Sequence, residues 1–241
     1  MKHNPQAITS AMQLYFSGES LRNVCKSLKL LGCEVSHMSV YRWIEKYSEL
    51  MNQYLDKIVP QVSNTWRADE IYVKVKGNPK YLFALMDDET RFWIAQEVAD
   101  RKEGHDASSL FRLAKERTGK KPDTMITDGM HSYEDAFDKE IFEFGKRGAR
   151  PRHIREIRLA GQIHNNKMER MNGEIRDREK TMRGLKVKET PILKGMQVFH
   201  NYIRPHEALE GQTPADKAGI VITGENKWKT LIQNASKNQS Q

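Results

Sequence analysis

The chain has 241 residues, 30% of them charged and 38% hydrophobic, with a net charge of +8 and a pI near 9.3. That length supports one large domain, or one domain and a small one, and the basic balance favours an acidic partner, nucleic acid first. Two cysteines, Cys25 and Cys33, exclude a disulfide framework and argue against a zinc site, no run of about 18 apolar residues is available to span a membrane, and the opening MKHNPQAITS has no apolar signal core, so a cytoplasmic, nucleoid-associated protein is expected.

Residues 1–50 read as three short helices. Ala7 to Phe16 is the first, ended by Gly18. Ser20 caps a second that carries Leu21, Val24, Cys25, Leu28 and Leu31 and stops at Gly32. Ser36 caps a third with Val40, Tyr41, Trp43 and Ile44. Helix, Gly-containing turn and helix outline a helix-turn-helix, and Ser39, Arg42 and Lys46 on the third helix can reach phosphates or base edges. A plain three-helix bundle is the competing reading. A helical linker, 51–64, follows and ends near Pro60.

The pattern then changes. Trp66 to Lys76 alternates, with Asp69, Ile71, Val73 and Val75 on one side and Glu70, Tyr72, Lys74 and Lys76 on the other. Gly77-Asn78-Pro79 turns into a second strand, Lys80 to Met86, and Asp87-Asp88-Glu89 into a third, Arg91 to Val98. His105 to Arg117 is helical, Asp123 to Thr127 a short strand ending at Asp128-Gly129, and Ser132 to Lys139 a helix. Arg152 to Leu159 reads as a fifth strand, His164 to Arg178 as an amphipathic helix, and Glu189 to Ile203 as one more helix closed by Arg204-Pro205-His206. Residues 223–241 are read as a C-terminal tail, expected to be polar and frayed after Trp228. A meander followed by alternating helices and strands over 65–222 gives an α/β class, a mixed sheet flanked by helices in the order of a ribonuclease-H-like fold, preceded by a small all-α domain.

Three acids stand out by position: Asp69 on the apolar side of the first strand, Asp128 at the end of a parallel strand, and Glu169 on the polar face of the His164–Arg178 helix. Each has an ordinary explanation alone, as a strand-edge acid, a turn residue and a surface ion-pair member. Brought together they would repel one another without a cation, and hard oxygen ligands select Mg²⁺ or Mn²⁺. Two such ions about 4 Å apart support in-line phosphoryl displacement.

TWRADEIYVKVKG, YLFALMDDETR, ITDGMHSY, HNNKMERMNGEIRDREKTMRG and FHNYIRPHEALEGQTPADKAGI together resemble the DDE transposases of prokaryotic insertion sequences, which share the retroviral-integrase-type catalytic core. The resemblance covers Trp66 to Ile220 and the N-terminal helix-turn-helix. It implies that Asp69, Asp128 and Glu169 are the catalytic, metal-binding triad. It implies cleavage of double-stranded DNA at element ends and joining of 3′ ends to a target, by a homodimer or larger assembly on DNA. Asn165, Lys167, Arg170 and Arg176 would then position the DNA backbone, with Lys74, Lys76, Arg178 and Arg183 adding positive potential. Glu174 is the rival third acid. A non-catalytic DNA-binding regulator and a nuclease of the same fold are the alternative functions.

Overall fold

In the computed structural model, residues 4–142, 150–156, 166–181, 185, 187–188 and 190–239 are described. Two compact units emerge: a helical one from Met1–Ile58, Asp177–Asp216 and Val221–Gln241, and a sheet unit from Val59–Arg176 and Lys217–Ile220.

The helical unit begins with α1 (Pro5–Ser17), α2 (Leu21–Leu30) and α3 (His37–Leu55). The two expected serine caps are present: Ser20 accepts from the Asn23 N–H at 3.3 Å and Ser36 from the Ser39 N–H at 3.1 Å. Gly32 takes a left-handed φ of 77° just past α2, where a side chain would be strained. Helix α3 does not stop near residue 50. It runs on to Leu55 because Leu50, Met51 and Leu55 prolong its apolar stripe, and that stripe packs on α7 (Pro191–Val198) and α9 (Lys227–Gln239). The segment expected to fray is therefore a helix. Trp228, Leu231, Ile232 and Ala235 bury one face of it against α1 and α3, while lysines, asparagines and glutamines cover the other. Phe16, Phe199 and Trp228 stack with centroids 5.6–6.2 Å apart at the heart of this unit. Gly195 on α7 is required there, since a Cβ would lie 2.3 Å from Ser48 Oγ and 2.4 Å from Phe16 Cζ. The helical unit thus collects three stretches of chain.

The sheet unit holds β1 (Thr65–Val75), β2 (Asn78–Asp87), β3 (Trp93–Ala99), α4 (Gly104–Thr118), β4 (Thr124–Asp128), α5 (His131–Glu140), β5 (Arg152–Glu156) and most of α6 (Asn166–Glu179). The strand order is β3-β2-β1-β4-β5, with β1, β2 and β3 antiparallel and β1, β4 and β5 parallel. A three-stranded meander extended by parallel strands through crossover helices is the ribonuclease-H-like arrangement. Its core is built on Trp66, Phe83, Phe92, Trp93, Phe111 and Tyr133, all essentially inaccessible. Among the described residues no helix is long and apolar enough to cross a membrane.

The β2–β3 turn is braced by Asp87, whose buried carboxylate accepts from the N–H and Oγ of Ser63 (2.8 and 2.6 Å) and of Thr90 (2.8 and 2.6 Å). Asp87 is thus structural, and Asp88 beside it is bound to Arg67 and Lys167, so neither acid of this turn competes with Asp69. Asp87→Ala is expected to destabilise the protein by about 3 kcal/mol or more, because it strands four donors in the interior. Denaturant unfolding of the variant checks this, and a loss below about 1 kcal/mol would contradict the bracing role.

Candidate metal centre

The parallel pairing of β1 with β4 sets Thr65, Trp66 and Arg67 level with Thr124, Met125 and Ile126. Carried two residues further, the same register sets Asp69 level with Asp128. Pairing has ended by then, so β1 and β4 part from the middle of β1 and the carboxyl end of β4, and their acids face a common gap, the place where open α/β sheets bind ligands. A β1 carboxylate oxygen from Asp69, one from Glu70 and one from Asp128 all lie within 4.8 Å of one another.

Each acid is oriented by its surroundings. Asp69 Oδ1 accepts from the Glu70 N–H at 2.9 Å and its Oδ2 from Asn172 Nδ2 at 2.7 Å. The Met130 N–H donates to Asp128 Oδ1 at 3.1 Å. Glu70 is buried and clamped: Lys102 Nζ donates at 2.5 Å and Tyr133 Oη at 3.0 Å, while Lys102 itself rests over the rings of Tyr81 and Tyr72. Burial pushes the Asp69 carboxyl up to about 7, and the negative neighbours Glu70 and Asp128 push the same way, against the Glu70 N–H and Arg176. Glu70 is also raised, chiefly by burial. Burial drives the Tyr133 hydroxyl well above its ordinary range, so it stays a donor.

Crowded carboxylates in a half-dry cleft are unfavourable by themselves and become favourable around a cation. Carboxylate oxygens at this spacing fit a hard divalent ion, and the residues present are suited to hold one.

Glu169 lies on the exposed first turn of α6, and among the described residues it is not within the 4.8 Å cluster. It precedes Asn172, which touches Asp69, by three positions, so the two share a helix face with Cβ atoms about 5–6 Å apart. Glu174, two positions beyond Asn172, is turned off that face. Lys167 donates to Asp88 Oδ1 and to its carbonyl oxygen, both at 2.8 Å, and so is engaged within the protein. Arg170 and Arg176 are exposed, Arg176 close enough to Asp69 to favour its ionised form. Asn165 lies outside the described residues. In the helical unit Arg42 and Lys46 are exposed one turn apart on α3, and Ser39 shares a 3.1 Å hydroxyl contact with Ser36 at the cap. Trp43 and Trp66 are buried.

Strand alternation had put Glu70 on the side opposite Asp69, and it is nonetheless part of the acidic cluster. The available signal was the consecutive Asp69-Glu70 pair: in a central strand covered on both faces, one of the two must be buried whichever side packs. Helical spacing put Asn172 on the polar face of Glu169 and Arg176, but without a partner in view it was not taken as a site residue.

Fold and site together give a ribonuclease-H-like sheet with an acidic cluster at the split between the parallel strands β1 and β4. The chain belongs to the IS240 family of transposase DDE domains, whose family model matches residues 63–206. It is 30% identical over 145 residues to the transposase of the insertion sequence-like element IS431mec and to that of IS257 in transposon Tn4003, both from Staphylococcus aureus. The match takes in 58% of this chain and 62% of the relatives' own length. Its fold is similar to the catalytic core of HTLV-2 integrase, solved with magnesium in trimeric and dimeric forms (TM-scores 0.47 and 0.45, identities 16% and 17%, covering 67% and 65% of this chain and 98% and 95% of those chains). Those superpositions are loose, and the fold class rests on the strand order.

Proposed function

We propose that this chain is a DNA transposase that binds element ends and carries out metal-dependent strand cleavage and strand transfer. The observation that supports it most is the convergence of Asp69 and Asp128 at the open end of β1 and β4 in a DDE-family domain. Asp69 and Asp128 hold a pair of Mg²⁺ or Mn²⁺ ions, and Glu169 completes the donor set from α6. When bound, such ions polarise the scissile phosphate, activate a water or 3′-hydroxyl and stabilise the leaving oxygen.

The protein's own contribution is preorganisation. The Glu70 N–H and Asn172 fix both Asp69 oxygens, and Met130 fixes Asp128, so neither acid needs to reorient before use. Lys102 and Tyr133 hydrogen-bond Glu70 and offset part of the burial that raises its pKa, which anchors that side chain in the cleft. Arg176, and Arg170 on the exposed side of α6, position the DNA backbone. Asn165 belongs to the same expected set, and Lys167 joins it by releasing Asp88.

DNA recognition belongs to α2 and α3 of the helical unit, through Ser39, Arg42 and Lys46, with the partner a pair of element ends held by a homodimer or larger assembly. An Arg42→Ala/Lys46→Ala double variant is expected to bind a terminal-repeat duplex at least about tenfold more weakly and to lower the salt slope by about 2. Fluorescence anisotropy across a salt series checks this, and an unchanged slope removes these cations from the interface. The activity itself is tested by incubating the full chain with element-end DNA, target DNA and Mg²⁺ and analysing products. Joined products support the reading, hydrolysis alone indicates a nuclease, and binding with no cleavage in any divalent metal indicates a regulator.

A further inference from the structure

Asn172 is only 2% exposed, yet its Oδ1 is buried with no hydrogen-bond partner among the described residues. The other end of the same amide donates to Asp69 Oδ2 at 2.7 Å. A buried amide oxygen is ordinarily satisfied, so an orphan in contact with a carboxylate cluster asks for a missing donor or cation. An amide oxygen is also a hard, neutral ligand of the kind that completes Mg²⁺ and Mn²⁺ shells, directly or through a water.

We infer that Asn172 is a further residue of the metal centre: its Nδ2 orients Asp69, and its Oδ1 faces the divalent ion or accepts from a water in that ion's shell. This rests on the metal-centre reading of Asp69 and Asp128. Three features fit. The residue lies on α6 one turn after Glu169, so one helix face carries both groups to the cleft. The amide bears no charge, so it adds an oxygen without adding to the repulsion among Asp69, Glu70 and Asp128. Asp69 is held from two sides, by the Glu70 N–H and by this amide, and Asn172 couples the position of α6 to that of β1. Asn172 is thus the side chain through which the helix bearing the third acid registers on the strand bearing the first.

The test is Mn²⁺ titration of the full chain by calorimetry at neutral pH, comparing the wild-type chain with Asn172→Ala, Asn172→Asp and Asp128→Asn, with thermal unfolding of each metal-free protein alongside. Asn172→Ala is expected to weaken Mn²⁺ binding at least about tenfold with the fold kept. Asn172→Asp, which keeps an oxygen at the same reach but cannot donate to Asp69, is expected to bind Mn²⁺ no more weakly than wild type. Should Asn172→Ala bind within twofold of wild type while Asp128→Asn loses binding, the role of Asn172 falls and the metal centre stands. Weaker binding by Asn172→Asp would likewise overturn the oxygen's role, since only amide donation would then matter, and this variant decides the question if Asn172→Ala does not fold. If wild type takes up no Mn²⁺, or Asp128→Asn binds as wild type does, the metal centre itself falls and Asn172 with it.

Discussion

Asp69→Asn and Asp128→Asn are each expected to remove metal-dependent strand cleavage and joining, with losses of at least about a thousandfold, or roughly 4 kcal/mol of transition-state stabilisation. Asparagine keeps the shape of either side chain and can still accept the Glu70 or Met130 N–H, at position 69 at the expense of the Asn172 hydrogen bond, while the anionic ligand is gone. Glu169→Gln is expected to fall in the same range, although Glu169 is exposed, because its turn of α6 is the one that Asn172 brings beside Asp69. Glu174→Gln is expected to retain activity. Lys102→Met, which frees Glu70 without touching Asp69 or Asp128, should be impaired less than either aspartate variant. Quantitative cleavage of labelled element-end DNA reads all of these. Full activity in Asp69→Asn or Asp128→Asn would remove that residue from the centre, and full activity in Glu169→Gln with loss in Glu174→Gln would transfer the third position to Glu174.

The second large effect is on stability and its dependence on pH and metal. Asp69 has a folded-state pKa near 7, well above the ordinary 3.8, because burial and two negative neighbours disfavour its charge. The folded protein therefore holds a proton at Asp69 that the unfolded chain releases. Its contribution to stability is full below the unfolded value, near pH 4, and is lost as pH rises through about 7. The metal-free protein is expected to lose up to about 4 kcal/mol from this group between those limits. Asp69→Asn removes the titration, so the variant should be more stable than wild type at pH 8 without metal and differ little at pH 4. Mg²⁺ at millimolar concentration should restore wild-type stability at pH 8 and leave the variant unmoved, because the cation takes the place of the proton. Denaturant unfolding at the two pH values, with and without Mg²⁺, checks the pattern. Parallel pH profiles for wild type and variant would contradict the buried, crowded state of Asp69.

Much of this was legible in the sequence, for identifiable reasons. The alternation of Trp66 to Lys76 and the turn at Gly77-Asn78-Pro79 defined β1 and its hairpin because period-two burial and turn chemistry are local. The serine caps at 20 and 36 were readable for the same reason. The placement of Asp69 on a central strand and Asp128 at a strand end followed from strand boundaries, and their meeting followed from the topology those strands adopt.

What was not legible is what depends on partners distant in sequence. The role of Glu70 was not readable because Tyr133 and Lys102, which make its burial tolerable, lie 63 and 32 residues away. The bond from Lys167 to Asp88 was not readable because Asp88 is 79 residues back. The stretch from Lys227 onward looked like a tail because half of its surface is polar, and only the faces of α1 and α3 explain the other half. The extension of α3 to Leu55 has the same origin.

Crystals of the full chain exposed to Mn²⁺ and measured at the manganese absorption edge test the metal centre most directly. The structure predicts anomalous density between the carboxylates of Asp69 and Asp128, at the open end of β1 and β4. Density elsewhere on the protein, with those two side chains left unliganded at saturating Mn²⁺, would contradict it.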